Sequence, residues 1–219
     1  MLYTSNSQYR SISKLLLLFN VISVLKLGEE ARFPFDKFKD TTNAWSLEHI
    51  HAQNSEGLYD VEKLREWLRL HIPIVQKLIK DNSTLIADMK QAEQNPKLDN
   101  ATFEELRKKV TDALSPNGES LTKHNISNLA LLNSGDNAAL NNSVFAVKRN
   151  KIIELDKQGK FIPHCTKMVF LKYYTKSEDS SMYFWGEADR RAYVAAMNDV
   201  LKEYLGNPIV INEENDEDE

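Results

Sequence analysis

The apolar positions of this chain change their spacing several times, and each change marks an element. Residues 10–27 ("RSISKLLLLFNVISVLKL") are apolar on nearly every face, which predicts a buried helix. Asn20 interrupts the run, which is too short to cross a membrane, and no small-x-small cleavage site follows it, so a secretory signal is the lesser reading. "RFPFDKFKDTTNAW" then reads as a Pro- and Thr-containing connection. In "YDVEKLREWLRLHIPIVQKLIKD", Val61, Leu64 and Leu68 recur at helical spacing. Past a break near Pro73, Val75, Leu78 and Ile79 do the same, which predicts an amphipathic helical pair. "NATFEELRKKVTDAL" offers Asn100 or Thr102 as a cap and puts Phe103, Leu106, Val110 and Leu114 on one face of a helix.

The pattern shortens afterwards. Ile126 to Leu132 is a brief apolar run that reads as a strand, with a turn at "NSGD" behind it. A helix is expected from near Asn137 to about Asp156, and "CTKMVFLKYY" and "EADRRAYVAAMNDVLKEYL" read as two more. A strand is expected over residues 46–50. The composite is an α+β fold, mostly helical, with a helical insertion at 54–124 between the two strands and flanking helices on either side.

Composition adds three bounds. With 219 residues, the chain is long enough to bury a substantial core. Its one cysteine, Cys165, rules out an internal disulfide and any cysteine-based structural zinc site, and fits a reducing, cytoplasmic setting. The formal charge of −4 is concentrated at the end, where "NEENDEDE" holds six carboxylates. Without them the balance of the body turns to +2. A like-charge run of this kind is expected to be disordered, and 206–219 is read as an acidic tail.

Candidate chemistry gathers in "NAWSLEHIHAQNSEG", residues 43–57, where Glu48-His49 is followed by Ile50, His51 and Gln53. Histidine suits general-base work near neutral pH. A hard cation such as Mg²⁺ stabilises charge on a phosphate and needs few protein oxygens, because it keeps several waters. One carboxylate and one amide oxygen suffice, and two strands and a helix are enough to present them.

The motifs resemble those of the HNH (ββα-metal) nucleases. "LEHIHAQ" is similar to their first-strand motif, D/E-H-I-x-P-Q, with Ala52 in place of the proline. "NISNLALLNSGDN" is similar to the second strand and helix start, with Asn128 and Asn137 nine residues apart as in the HNH domain of CRISPR effector nucleases. "NAALNNSVFAVKR", "IPHCTKMVFLKYY", Trp185 and Tyr193 resemble the C-terminal HNH domain of GmrSD-type modification-dependent restriction enzymes. The resemblance covers about residues 10–205 and makes 43–205 a nuclease domain behind an N-terminal segment, 1–42. Relatives usually carry a ParB-like nucleotidase domain with a D-G-Q-Q-R motif. That motif is absent here, so the chain is expected to correspond to the C-terminal half of a longer protein or a stand-alone remnant.

Roles follow from the resemblance. His49 is the implied general base. Glu48 and Asn137 are the implied ligands of Mg²⁺ or Mn²⁺. Asn128 would either orient the His49 ring or brace the strand pair. Asn137, Asn141 and Lys148 share a stripe of the expected helix, with Lys148 meeting a phosphate and Asn141 supporting the site, while Leu140, Val144 and Val147 pack the helix down. Gln53 matches the motif's glutamine. By strand alternation His51 faces the same side as His49, as a substrate contact or a structural histidine. Asn137 also reads as a plain N-cap, and His71, His124 and His164 as unremarkable residues. Trp67, Trp185 and Cys165 read as core.

The implied function is metal-dependent DNA hydrolysis in defence against foreign or modified DNA. RNA cleavage uses the same chemistry and is not separated from it. A different class stays open too: a non-catalytic module docking a nucleotidase domain or partner subunit. No membrane role is expected.

Overall fold

A computed structural model of the chain describes residues 5–28, 30–39, 44–51, 60–79, 82–114, 125–133, 143–176 and 181–211. The first helix, α1 (Asn6–Leu25), starts earlier than its apolar run, because Ser5 caps it by accepting the Gln8 N–H at 3.3 Å. The connection behind it contains a short helix, α2 (Phe35–Lys39), which the Pro-containing sequence did not suggest. Strand β1 (Trp45–His49) pairs antiparallel with β2 (Leu129–Asn133), in the register Trp45↔Asn133, Leu47↔Leu131 and His49↔Leu129. The front of the expected second strand, Ile126–Asn128, is instead a 3-10 turn, capped by Asn125 through the Ser127 N–H at 3.0 Å.

Among the described residues, three helices lie between the strands in sequence: α3 (Val61–Leu78), α4 (Ser83–Gln94) and α5 (Asn100–Ala113). The expected break at Pro73 does not occur, and α3 runs through it. A mid-helix proline costs about 3 kcal/mol. Here Leu64, Trp67, Leu68, Ile74 and Val75 are buried on both sides of it, and that apolar area offsets the lost hydrogen bond. Helix α4 escaped notice as a separate element because its only buried residues are Met89 and Ala92. The cap of α5 is Asp99, not Asn100 or Thr102; its carboxylate accepts the Thr102 N–H at 2.9 Å.

Helix α6 (Phe145–Lys157) follows β2. A continuous helix from Asn137 is excluded, because Val144 is extended, with φ −65° and ψ 158°. Gly159, at φ 75°, ends α6 by letting the Lys160 N–H reach back to the Leu155 carbonyl at 3.0 Å. Helices α7 (His164–Phe170) and α8 (Glu187–Leu201) complete the described fold. The α7 helix stops short of the full "CTKMVFLKYY" because Lys172 turns into the left-handed region, at φ 63°.

The result is a mostly helical α+β protein around one small antiparallel sheet. Two strands alone are marginal in water. Here β2 is buried from Leu129 to Leu132, and α1, α6, α7 and α8 share its core through Phe19, Phe145, Val169 and Met197. Helices α3–α5 build a second core around Trp67, Met89 and Phe103, which Val144, Ala146 and Val147 join. Helix α6 is thus common to both. Trp185 and Cys165 lie in the first core and Trp67 in the second, each buried. No helix among the described residues is long and apolar enough to cross a membrane.

Asn20 explains its place in an apolar run. Buried in α1, it accepts the Cys165 N–H at 2.9 Å and donates to the Leu16 carbonyl at 2.8 Å, tying α1 to the start of α7. Asn20→Leu keeps the branched shape, with somewhat more bulk, but strands the Cys165 N–H. Urea unfolding is expected to show a loss of about 1–3 kcal/mol. A loss below roughly 0.5 kcal/mol would show that the tie carries no stability.

Candidate functional site

The end of β1 presents Glu48 and His49 on opposite faces. Glu48 is turned inward, 4% exposed, toward the first turn of α6. There Lys148, 1% exposed, donates from Nζ to Glu48 Oε1 and to the His49 carbonyl, the latter at 2.5 Å. Burial raises the Glu48 carboxyl above the usual carboxylate range, and the Lys148 ammonium opposes that rise. In this structure the Lys148 ammonium, expected to meet a phosphate, faces these two protein oxygens. Because α6 begins at Phe145, Lys148 lies in its first turn against β1, and a desolvated ammonium there takes the nearest oxygens. His49 itself is half-buried.

Asn128 does bracing work. The Ile50 N–H donates to its carbonyl at 2.8 Å, the His51 N–H to its Oδ1 at 3.0 Å, and its Nδ2 donates to the His51 carbonyl at 2.9 Å. A side-chain amide carries one acceptor and a donor pair, so it pairs with a peptide as another peptide would. The strand pairing therefore continues two residues past His49, joining positions 77 apart in sequence. The turn bearing Asn128 is held in place by Trp185 Nε1, donating to the Ser127 carbonyl at 3.0 Å, and by Tyr193 Oη, donating to the Leu129 carbonyl at 3.2 Å.

His51 does not continue the alternation of β1. The strand ends at His49, and His51 turns into the interior, 1% exposed. Its Nδ1 accepts the Phe145 N–H at 3.2 Å, so the ring proton sits on Nε2, a buried donor with no hydrogen-bond partner among the described residues. His71 is its counterpart. It donates from Nδ1 to the Trp67 carbonyl at 2.7 Å and accepts the Val144 N–H on Nε2 at 3.2 Å. Two neutral imidazoles thus accept amide protons at the start of α6, which no N-cap side chain closes. Burial lowers both pKa values to about 3, and the Lys148 charge adds to it. His71 was read as unremarkable. The signal was its position on the apolar stripe of Leu64, Leu68 and Val75, where a polar residue needs a buried partner.

A second buried pair flanks Phe145. Lys172 bonds Asp189 and the Phe184 carbonyl, and its Nζ lies 4.6 Å from the centre of the Phe145 ring. Thr175 Oγ1 and the Gly186 N–H complete the Asp189 carboxylate, at 2.6 and 2.9 Å. Sequence reading gave no hint of this cluster.

Gln53, Asn137 and Asn141 lie outside the described residues. Glu48, His49, Asn128 and Lys148 are brought together, with His51 behind them. Glu48 has the hard oxygen that Mg²⁺ and Mn²⁺ take, and its Oε2 makes no hydrogen bond among the described residues. Glu48 thus offers a cation one carboxylate oxygen, while the Lys148 ammonium on its other oxygen repels a second positive charge. No group of three or more His, Cys, Asp and Glu suited to a metal occurs among the described residues.

Comparison with family models, curated proteins and solved structures finds no match to this chain.

Two outcomes test this geometry. Lys148→Met leaves the Glu48 carboxyl buried alone and is expected to lower stability by about 3–5 kcal/mol, most of it restored when Glu48→Leu is added. Equal losses in the single and double variants would refute the pairing. The second concerns pH. The folded histidines titrate near 3 and unfolded ones near 6.5, so the unfolded chain binds the extra protons. Their contribution is fully present above pH 6.5 and is lost as pH falls toward 3, by about 2.7 kcal/mol per pH unit when both groups count. Urea midpoints between pH 6.5 and 5 should show this, with His71→Gln halving the slope. An unchanged slope excludes His71 as a source.

Proposed function

We propose that the chain is a divalent-metal-dependent DNA endonuclease of the ββα-metal kind. On this reading it acts in the cytoplasm against foreign or modified DNA, with a nucleotidase domain or partner subunit. The observation that carries the reading is the convergence of Glu48, His49, Asn128 and Lys148 from a strand, the turn that leads into a second strand and a helix. The long intervening segment makes this pairing anything but local.

In this reading a ring nitrogen of His49 takes a proton from water as the water oxygen bonds to phosphorus. The bond from phosphorus to the 3′ oxygen breaks, and that oxygen leaves to be protonated by solvent. Glu48 Oε2 would hold Mg²⁺ or Mn²⁺ with Asn137, and the ion, when bound, stabilises charge on the phosphate and the leaving oxygen. Asn128 fixes the backbone behind His49. Lys148 holds the His49 carbonyl and neutralises the inner oxygen of Glu48. One such site cuts one strand, so a double-strand break needs two copies or two events.

A second reading draws on the Lys148–Glu48 pair. An ammonium on the carboxylate is what a non-catalytic docking module with a vestigial site would also display.

Nicking of supercoiled plasmid with Mg²⁺ or Mn²⁺ separates the two, and labelled RNA run in parallel separates DNA from RNA. His49→Ala is expected to lower nicking by about 10²–10⁴-fold with the melting curve unchanged. Nicking retained within a few-fold would reject His49 as the base. An intact plasmid with the wild type would favour the docking module.

A further inference from the structure

Glu48 and Asp189 are the two buried acids among the described residues. Both oxygens of Asp189 are taken, by Lys172, Thr175 Oγ1 and the Gly186 N–H. Glu48 is taken on one side alone. Lys148 Nζ bonds its Oε1, and its Oε2 makes no hydrogen bond among the described residues. A carboxylate can hold a cation through both oxygens or through one. At Glu48 the ammonium decides between the two.

That ammonium is fixed in place. Its Nζ also donates to the His49 carbonyl at 2.5 Å, so β1 holds it at two points. Lys148 lies in the first turn of α6, and the start of α6 is fastened by His71 and His51 through the Val144 and Phe145 amides. Leaving Glu48 would strand a buried charge. No other acid nearby is left to outbid it, because Asp189 is filled. The next charge acting here is also a cation: burial keeps His51 neutral, and the charges of Lys148 and then Arg190 add to that.

An opposite charge within ~4–6 Å changes a carboxylate's affinity for a proton by about 10- to 1,000-fold. A doubly charged ion in the same field loses at least as much. Denticity matters as well. Ca²⁺ gathers about six to eight oxygens and often takes two from one carboxylate, whereas Mg²⁺ keeps several waters and manages with one.

We propose that Lys148 sets how Glu48 takes a cation: through Oε2 alone, weakly, and in favour of the water-keeping Mg²⁺ and Mn²⁺ over Ca²⁺. The proposal rests on Glu48 being a metal ligand, as in the nuclease reading, but not on catalysis.

The test is Mn²⁺ binding to the full chain without nucleic acid, followed by the electron paramagnetic resonance signal of the free ion. The carboxylates of residues 212–219 also attract Mn²⁺, so site binding is the part that Glu48→Gln removes. Lys148→Gln discharges the side chain but keeps an N–H donor. It is expected to bind Mn²⁺ about 10- to 1,000-fold more tightly than the wild type, and adding Glu48→Gln is expected to abolish the gain. Ca²⁺ at the concentration of Mn²⁺ is expected to displace site-bound Mn²⁺ from Lys148→Gln and to leave it on the wild type. Equal Mn²⁺ affinity in the wild type and in a natively melting Lys148→Gln overturns the proposal. Ca²⁺ that displaces Mn²⁺ from both alike overturns it too. If Lys148→Gln is unfolded in EDTA, circular dichroism reads the result: refolding in millimolar Mn²⁺ supports the proposal, and a chain that stays unfolded overturns it. Plasmid nicking by the wild type beside an unchanged Mn²⁺ affinity in Lys148→Gln counts against the role of Lys148 alone. Tighter Mn²⁺ binding by Lys148→Gln, with no nicking by the wild type, counts against the nuclease reading alone.

Discussion

A lysine ammonium with almost no exposure sets the terms for this structure. Lys148 has to find oxygens inside the protein, because a buried charge left alone costs several kcal/mol. It finds two, on Glu48 and on the His49 carbonyl, and both belong to the end of β1. The helix following β2 is thereby fixed to the strand that precedes the insertion. The pairing is specific: moving α6 along its axis by one residue would carry Nζ away from both oxygens and leave three charged or polar groups unsatisfied.

Hydrogen bonds at the start of α6 extend that constraint to the helical insertion. His71 comes from α3 and His51 from the segment after β1, and they accept consecutive amide protons, those of Val144 and Phe145. Val144, Ala146 and Val147 face the core built by α3–α5, while Phe145, Ile152 and Leu155 face the core built on the sheet. Alternating allegiance along one helix joins the two cores into a single unit. It also makes the neutrality of two histidines a condition for joining them. A protonated imidazole cannot accept an amide proton.

Amide side chains used in place of backbone recur. Asn128 pairs with both peptide groups of His51. Asn198 in α8 pairs likewise with Ile209, accepting its N–H at 2.7 Å and donating to its carbonyl at 3.0 Å. Asn20 joins α1 to α7 by the same chemistry. Each supplies pairing where regular structure has run out, which is why these residues are buried or half-buried where asparagine is ordinarily exposed. At the other end of β1 the constraint is relaxed, and Phe161, stacked on Trp45, keeps part of its ring exposed.

The sequence by itself determined the elements whose period exceeds a few residues. The buried face of α5, with Phe103, Leu106 and Val110, and the apolar body of α1 were legible because a 3.6-residue repeat signals a buried face whatever it packs against. The helical character of the insertion was legible for the same reason, and the strand near Leu129 from the brevity of its apolar run and the turn residues behind it. Tertiary structure alone decided what lies between. Pro73 stays helical because packing on both sides outweighs a local preference, and α6 starts at Phe145 because Val144 must be extended for its N–H to reach His71. Lys148 turned inward, and His71 and His51 became acceptors. Their partners sit 73 to 100 residues away along the chain, a separation that no local pattern encodes. Residue types made Glu48, His49 and Asn128 candidates; only the fold could say that Glu48 would share its carboxylate with an ammonium, because burial and charge compensation are properties of neighbours in space.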